Sequence, residues 1–168
     1  ELSAWLIAME DEHSMLVKLG SYVVATVLPA NATVVNARFV LTKKLEPGQP
    51  VKYKARLCAK DFRKSHIQSI EDLEQRLSNF APVLRTKVMR LLIALAASYR
   101  MDLQQCDVES AFLHADYQRQ DVFVRPPPGF FPPGQLWRLK KPLYGMQDAP
   151  IEWYNCIRSF LIDQGFRI

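Results

Sequence analysis

Three groups of residues in this 168-residue chain are of the types that phosphoryl chemistry uses. Asp107 stands at the end of a predicted strand, Leu103–Val108, just before Glu109-Ser110-Ala111-Phe112. A carboxylate at a strand end facing a groove is a natural Mg²⁺ ligand for phosphoryl transfer, which uses hard oxygen ligands and usually two metals about 3.5–4 Å apart. Arg56 lies on a strand of a basic hairpin, where a guanidinium can grip a triphosphate bidentately. The third group is Leu143-Tyr144-Gly145-Met146-Gln147-Asp148-Ala149-Pro150, followed by Trp153-Tyr154. Its glycine lets backbone approach a ligand closely. Each group also has a plainer reading. Asp107 caps the short helix that follows it, Arg56 is an exposed strand arginine, and the third segment is a helix-entry loop with aromatic core residues. Spacing alone leaves both readings open.

Charge adds a fourth signal. Nine Lys or Arg and two acids lie between Arg38 and Lys64, a local charge of +7, while the whole chain carries +5 and the remainder therefore −2. A patch of this kind suits a surface that meets a polyanion, or a lysine-rich hairpin that is simply solvated. Other chemistries find no support. There is no glycine-rich phosphate loop. His13, His66 and His114 lack metal-ligand spacing, with His114 read as a surface residue, and no serine sits in a nucleophile elbow. Cys58, Cys106 and Cys156 are 48 and 50 residues apart, too sparse for a disulfide framework or a zinc motif, and fit a reducing compartment. The composition, 49% hydrophobic and 23% charged, can bury a core. The longest apolar run, Leu91–Ala97, is far below the roughly 20 residues of a membrane span, and the first residues show no signal-peptide order.

The elements that must position these residues follow from patterning. Ser3 is a candidate cap for a first helix carrying Trp5, Leu6, Met9 and Leu16, with Gly20 past its end. Tyr22–Leu28, Thr33–Thr42 (with Lys43–Leu45 as a possible extension) and Val51–Lys60 read as strands, the last two joined through the Glu46–Pro50 turn cluster into a hairpin bearing Lys43, Lys44, Lys52, Lys54, Arg56 and Lys60. Phe62–Ser78 reads as a loop with a helical turn. Val88, Leu91, Leu92, Leu95 and Tyr99 mark a helix whose apolar flanks predict deep burial. Asp121–Arg125 and Gln135–Leu139 read as short strands in a region where seven of the eleven prolines lie between Pro126 and Pro150. A last helix starts at Ala149–Pro150, carries Trp153, Ile157, Phe160 and Leu161 on one face, and ends at Gly165.

The order of the pieces is more specific than any one of them. Lys52-x-Lys54-Ala55-Arg56-Leu57-x-Ala59-Lys60-x-Phe62 is followed by Phe80-Ala81-Pro82-Val83 and Arg90-Leu91-Leu92. Asp107-Val108-x-x-Ala111-Phe112-Leu113, Pro127-Pro128-Gly129-Phe130 and Arg138-Leu139-Lys140-Lys141 come next, then Leu143-Tyr144-Gly145 and Ala149-Pro150-x-x-Trp153-Tyr154. This succession resembles the reverse transcriptase domain of copia-type LTR retrotransposons, from near Trp5-x-x-Ala8-Met9 to Gly165-Phe166.

The resemblance implies an α+β fold: right-hand polymerase fingers plus an incomplete palm, with 1–92 and 117–148 mainly fingers and 93–116 and 149–168 palm. It implies that Asp107 is the first catalytic aspartate and metal ligand, that Arg56 and Lys44 hold the incoming triphosphate, that Phe112 lies beneath the sugar, and that Tyr144 and Gly145 pack on nucleotide and template. The implied cofactor is Mg²⁺, two ions in a complete enzyme, with Mn²⁺ as a substitute. The implied partners are RNA template, DNA primer and deoxynucleoside triphosphates, with integrase upstream and ribonuclease H downstream in a polyprotein, no membrane, and a cytoplasmic particle or nucleus as the place of action.

Departures from the family pattern carry expectations too. Gly is usual at Asp61, Lys-Gln at Gln147-Asp148, Leu at Cys106 and Asn-Gly at His114-Ala115, and Ser65–Asn79 barely matches the usual spacer. An acid gained and a lysine lost beside a phosphate-facing loop should weaken polyanion binding. The family's second catalytic motif, Tyr-x-Asp-Asp, is absent, and the sequence has no Asp-Asp pair. The expectation is a polymerase fragment, inactive alone, with a non-catalytic nucleic-acid-binding remnant as the alternative.

Overall fold

The computed structural model describes residues 1–45, 47–61, 70, 74 and 77–167. Most of the Phe62–Ser78 segment, His66 included, lies outside the described residues. The chain is mixed α+β, with a curled five-stranded sheet in the order β1-β5-β4-β2-β3. Helix α1 (Leu2–Lys18) precedes β1 (Tyr22–Val24), β2 (Thr33–Lys44) and β3 (Lys52–Ala59). Helix α2 (Thr86–Tyr99), a 3₁₀ turn at Ala111–His114, β4 (Val122–Arg125), β5 (Trp137–Leu139) and α3 (Ala149–Asp163) follow. Strands β2 and β4 pair in parallel, and the other neighbours are antiparallel.

Helix α1 begins one residue before the expected cap. Glu1 is its N-cap, without a side-chain hydrogen bond, and Ser3 lies in the first turn. The helix ends as expected at Gly20, whose φ of +62° lets the Ser21 amide reach back to the Leu16 carbonyl at 2.9 Å. Helix α3 ends in the same way, with Gly165 at +86° and the Phe166 amide on the Leu161 carbonyl at 3.0 Å. The core lies between α1 and the sheet. Leu16, Val35, Leu57, Val122, Val124, Trp137, Leu139 and Leu143 are all buried there. Trp137 stacks on Tyr22 at 3.8 Å between ring centroids and meets Phe131 edge-on at 4.8 Å. His13 completes this aromatic layer, its Nε2 2.7 Å from the Tyr22 hydroxyl.

Three expectations are corrected. The first predicted strand stops at Val24, because the pairing partner β5 is itself only Trp137–Leu139. Leu103–Val108 forms no strand. A strand exists only on a ladder, and no described segment pairs with this one. Helix α2 forms where its periodicity puts it but is not deeply buried. Only Ala96 is covered, while Leu91, Leu92 and Ile93 are each about half exposed, at 58%, 49% and 50%. On α3, Phe160 is likewise exposed, and only Ala149 is fully buried. No helix among the described residues is long and apolar enough to cross a membrane.

Candidate functional site

The β2–β3 ladder determines which basic side chains stand together. Arg38 pairs with Cys58, Val40 with Arg56, Thr42 with Lys54 and Lys44 with Lys52. Directly paired residues share a face and alternate residues return to it. One face of the hairpin therefore carries Arg38, Lys44, Lys52, Lys54 and Arg56. Lys43 faces the other way, 3.1 Å from the Glu1 carboxylate and 5.4 Å from the centre of the Tyr53 ring. Two like charges directly opposed, Lys44 against Lys52, weaken a ladder unless an anion lies over them.

The outer edge of β3 is covered from two sides. The loop after Leu143 pairs with it: the Ala59 amide donates to the Tyr144 carbonyl at 2.7 Å, and Cys58 bridges Tyr144 in parallel. Gly145 has φ +84°, and a Cβ there would run into the Ala59 carbonyl. The close approach that requires glycine is thus to the chain's own strand. From the other side, helix α1 sends the Glu12 carboxylate to the Leu57 amide at 2.9 Å. Burial pushes the Glu12 carboxyl above its ordinary value, while the Leu57 hydrogen bond, Arg56 and Lys54 pull the other way.

These contacts frame a cavity of about 560 Å³, lined by Asp11, Glu12, Met15, residues 52–56, residues 107–111 and Tyr144. Arg56 sits over the Tyr144 ring, 5.2 Å from guanidinium carbon to ring centre. Burial raises the Tyr144 phenol above its ordinary value, with Arg56 opposing the rise. Asp107 faces this cavity from an exposed loop, not from a strand end. It does not cap the 3₁₀ turn either: the cap is Ser110, with φ of 52° and no side-chain hydrogen bond. Of the six residues singled out in the sequence, Arg56, Asp107 and Tyr144 line this cavity. Phe112 is half-buried behind it, its ring edge-on to Tyr144 at 5.0 Å. Gly145 is the next residue in the loop. Lys44 lies apart, in a cleft of about 140 Å³ with Gln49, Pro50 and Lys52.

The departures at Asp61 and Gln147-Asp148 answer one another. The Gln147 backbone amide donates to the Asp61 carboxylate at 3.3 Å, and its side-chain amide donates to the Asp61 carbonyl at 3.4 Å. Asp148 is buried, accepts from the Tyr117 hydroxyl at 2.9 Å and has Arg119 at 3.8 Å. Its charge is turned into the protein and away from the cavity, so the acid expected to repel a polyanion is already matched.

Asp107 is the candidate metal ligand, but among the described residues it has no second and third ligand beside it. No group of three or more His, Cys, Asp or Glu among the described residues could hold a metal ion. The residues present do not make a complete Mg²⁺ site. A larger groove, about 820 Å³, lies between β1, the 25–31 segment and the 118–121 segment, and contains none of the six residues. Sequence reasoning missed Glu12. The available signal was its place on the helical stripe Trp5, Ala8, Glu12, Leu16, where a carboxylate is out of place unless it has a partner.

The chain thus combines an α+β fold with a basic hairpin face beside a cavity lined by Arg56 and Asp107. The sequence model of the family described as Reverse transcriptase (RNA-dependent DNA polymerase) matches residues 21–168, and the chain belongs to that family. It is 31% identical over 163 residues to the Retrovirus-related Pol polyprotein from transposon TNT 1-94 of Nicotiana tabacum, covering 95% of this chain and 12% of that protein. It is 31% identical over 166 residues to the corresponding polyprotein from transposon RE1 of Arabidopsis thaliana, covering 96% of this chain and 11% of that protein. The Transposon Ty1-DR4 Gag-Pol polyprotein of Saccharomyces cerevisiae is 31% identical over 131 residues, 78% of this chain and 8% of its own length. The resemblance to copia-type reverse transcriptases therefore holds across nearly the whole chain. The chain spans about a tenth of the length of these relatives. No solved structure matches it. Reverse transcriptases normally use divalent metal ions.

Proposed function

We propose that these 168 residues are the part of an RNA-directed DNA polymerase that grips the incoming deoxynucleoside triphosphate and the nucleic-acid backbone. In this reading 1–92 and 117–148 are mainly fingers, and 93–116 and 149–168 belong to the palm. The observation that carries it is that Arg56, Lys54, Asp107 and Tyr144 line one cavity. A guanidinium held over an aromatic ring is preorganised to receive phosphate oxygens, and positioning with charge neutralisation supplies most of phosphoryl-transfer catalysis. Arg56 takes the triphosphate, Lys44 at the outer end of the same ladder face is a second phosphate contact, and Asp107 presents a carboxylate to the reacting end. Tyr144 and Gly145 form the wall against nucleotide and template, with Phe112 supporting it from behind, beneath the sugar. One aspartate does not make a two-metal site, so the remaining ligands come from elsewhere in a Pol-type polyprotein.

Primer extension on an RNA template, with Mg²⁺ or Mn²⁺, tests this reading. The 168-residue chain gives no extension, and a polypeptide joining it to a segment that bears Tyr-x-Asp-Asp extends the primer. Extension by the joined polypeptide that survives Asp107→Ala overturns the reading.

The basic hairpin face favours a second reading, a non-catalytic nucleic-acid binder. It predicts sequence-independent binding, on the order of 10⁻⁴–10⁻⁶ M at physiological salt, that weakens steeply as salt rises. Replacing Lys54 and Arg56 with Ala flattens that salt dependence. Binding of labelled single-stranded RNA that is indifferent to salt removes this reading.

A further inference from the structure

We propose that Glu12 is a positioning residue of the Arg56 anion site, clamping the outer edge of β3 and lowering the positive charge that an arriving triphosphate meets. The proposal rests on the triphosphate reading of the cavity and deepens it. Strand β3 is the last in the sheet order, so its outward amides have no strand to pair with. Those on either side of Cys58 are nevertheless satisfied, Ala59 by the Tyr144 carbonyl at 2.7 Å and Leu57 by the Glu12 carboxylate at 2.9 Å. Both partners are distant in sequence, and between them they fix the strand beside Arg56. An unclamped edge would fray and take the guanidinium with it.

The clamp is a carboxylate where a neutral acceptor would serve the amide equally well. A half-buried carboxylate carries a desolvation cost, opposed here by the Leu57 amide together with Arg56 and Lys54. Its charge therefore acts on two of the three β3 cations that line the cavity. The charged and titratable groups that line the cavity with it are Lys52, Tyr53, Lys54 and Arg56 from β3, Asp11 from its own helix, Asp107 and Glu109, and Tyr144 beside Arg56, with the Cys58 thiol nearby. With Glu12 on the Leu57 amide, its negative charge stands beside the cations of the cavity, which favours exchange of a polyanion over its retention.

The test titrates inorganic tripolyphosphate into the full chain and follows the Leu57 amide by NMR in the wild type, Glu12→Gln, Glu12→Ala and Arg56→Ala. Gln keeps an oxygen acceptor and removes the charge. Glu12→Gln keeps the Leu57 amide protected from exchange and binds tripolyphosphate about three- to tenfold more tightly at low salt, a gain that high salt erases. Glu12→Ala exposes the Leu57 amide, raising its exchange rate about tenfold or more, and binds less tightly than Glu12→Gln. In the wild type, the Leu57 amide shift follows the Glu12 titration and inflects above the ordinary glutamate value of 4.5. Should Glu12→Ala not fold, the Gln variant and this titration decide alone.

Binding lost in Arg56→Ala but unchanged in Glu12→Gln overturns the charge role while leaving the anion site standing. Wild-type binding that is absent, or undiminished in Arg56→Ala, overturns the triphosphate reading instead. The clamp then stands or falls on the amide: an unchanged exchange rate in Glu12→Ala, or a Leu57 shift indifferent to pH, overturns it.

Discussion

The lobe formed by α1 and the sheet and the region around α2 solve the burial problem to very different degrees. In the first, Trp137, Leu57, Val122 and Val124 are fully buried. In the second, a 14-residue helix forms with all three of its leucines in contact with solvent, and Phe80, Val83, Met101 and Leu103 on its flanks are exposed as well. Backbone hydrogen bonds make a helix locally, but stability in water comes mainly from covering an apolar face. The sheet lobe should therefore fold and hold the cavity, whereas α2 contributes little to the stability of this chain. The cavity lies at their border: Arg56 comes from the covered lobe and Asp107 from the uncovered chain after α2.

The largest effect that separates the two regions is expected at Trp137. Trp137→Ala removes the centre of the aromatic layer and should cost about 3–5 kcal/mol, enough to unfold a domain of ordinary stability, as read by a denaturant midpoint. Gly145→Ala should cost about 1–3 kcal/mol, because it forces a left-handed residue into the Ala59 carbonyl, and it should weaken anion binding by displacing Tyr144. Replacing Leu91 and Leu92 together with Gln should change the midpoint by no more than about 0.5 kcal/mol and reduce self-association by light scattering. A loss as large as that at Trp137 would mean that α2 is covered after all.

The smallest effect is a pH dependence confined to the sheet lobe. Burial lowers the His13 pKa below 6.5 in the folded chain, so the unfolded chain takes up the proton first. His13 thus favours folding above the unfolded value, and that contribution is lost as pH falls through 6.5 toward the depressed folded value. Denaturant midpoints at pH 7.5 and pH 5 should differ in this direction, and His13→Phe should reduce the difference.

The same contrast explains what could be read from the sequence. Helices α1, α2 and α3 and the hairpin were legible because periodicity, glycine stops and a proline-glycine turn are local signals. That Leu103–Val108 forms no strand was not legible, since its residues are strand-like but a ladder needs a partner that no local pattern reveals. Periodicity marked the apolar face of α2 without telling whether anything covers it. At the site, Arg56, Asp107 and Tyr144 line one cavity although they are far apart in sequence. Lys44 was harder to place because ladder parity puts it on the same face as Lys52, while only Lys52 reaches the cavity. Glu12 escaped notice in an acidic stretch, Glu10-Asp11-Glu12, that reads as solvated. Asp61 and Gln147, 86 positions apart, each looked like an isolated departure until the fold set them in contact.

The central claim is that the cavity between β3 and the 107–111 segment receives a triphosphate through Arg56. Calorimetric titration of the full chain with dTTP and, separately, with dTMP tests it most directly. The account predicts that dTTP binds at least tenfold more tightly than dTMP, and that Arg56→Ala abolishes the difference while leaving the fold intact by circular dichroism. Equal binding of the two nucleotides, or a preference for dTTP that survives Arg56→Ala, would contradict it.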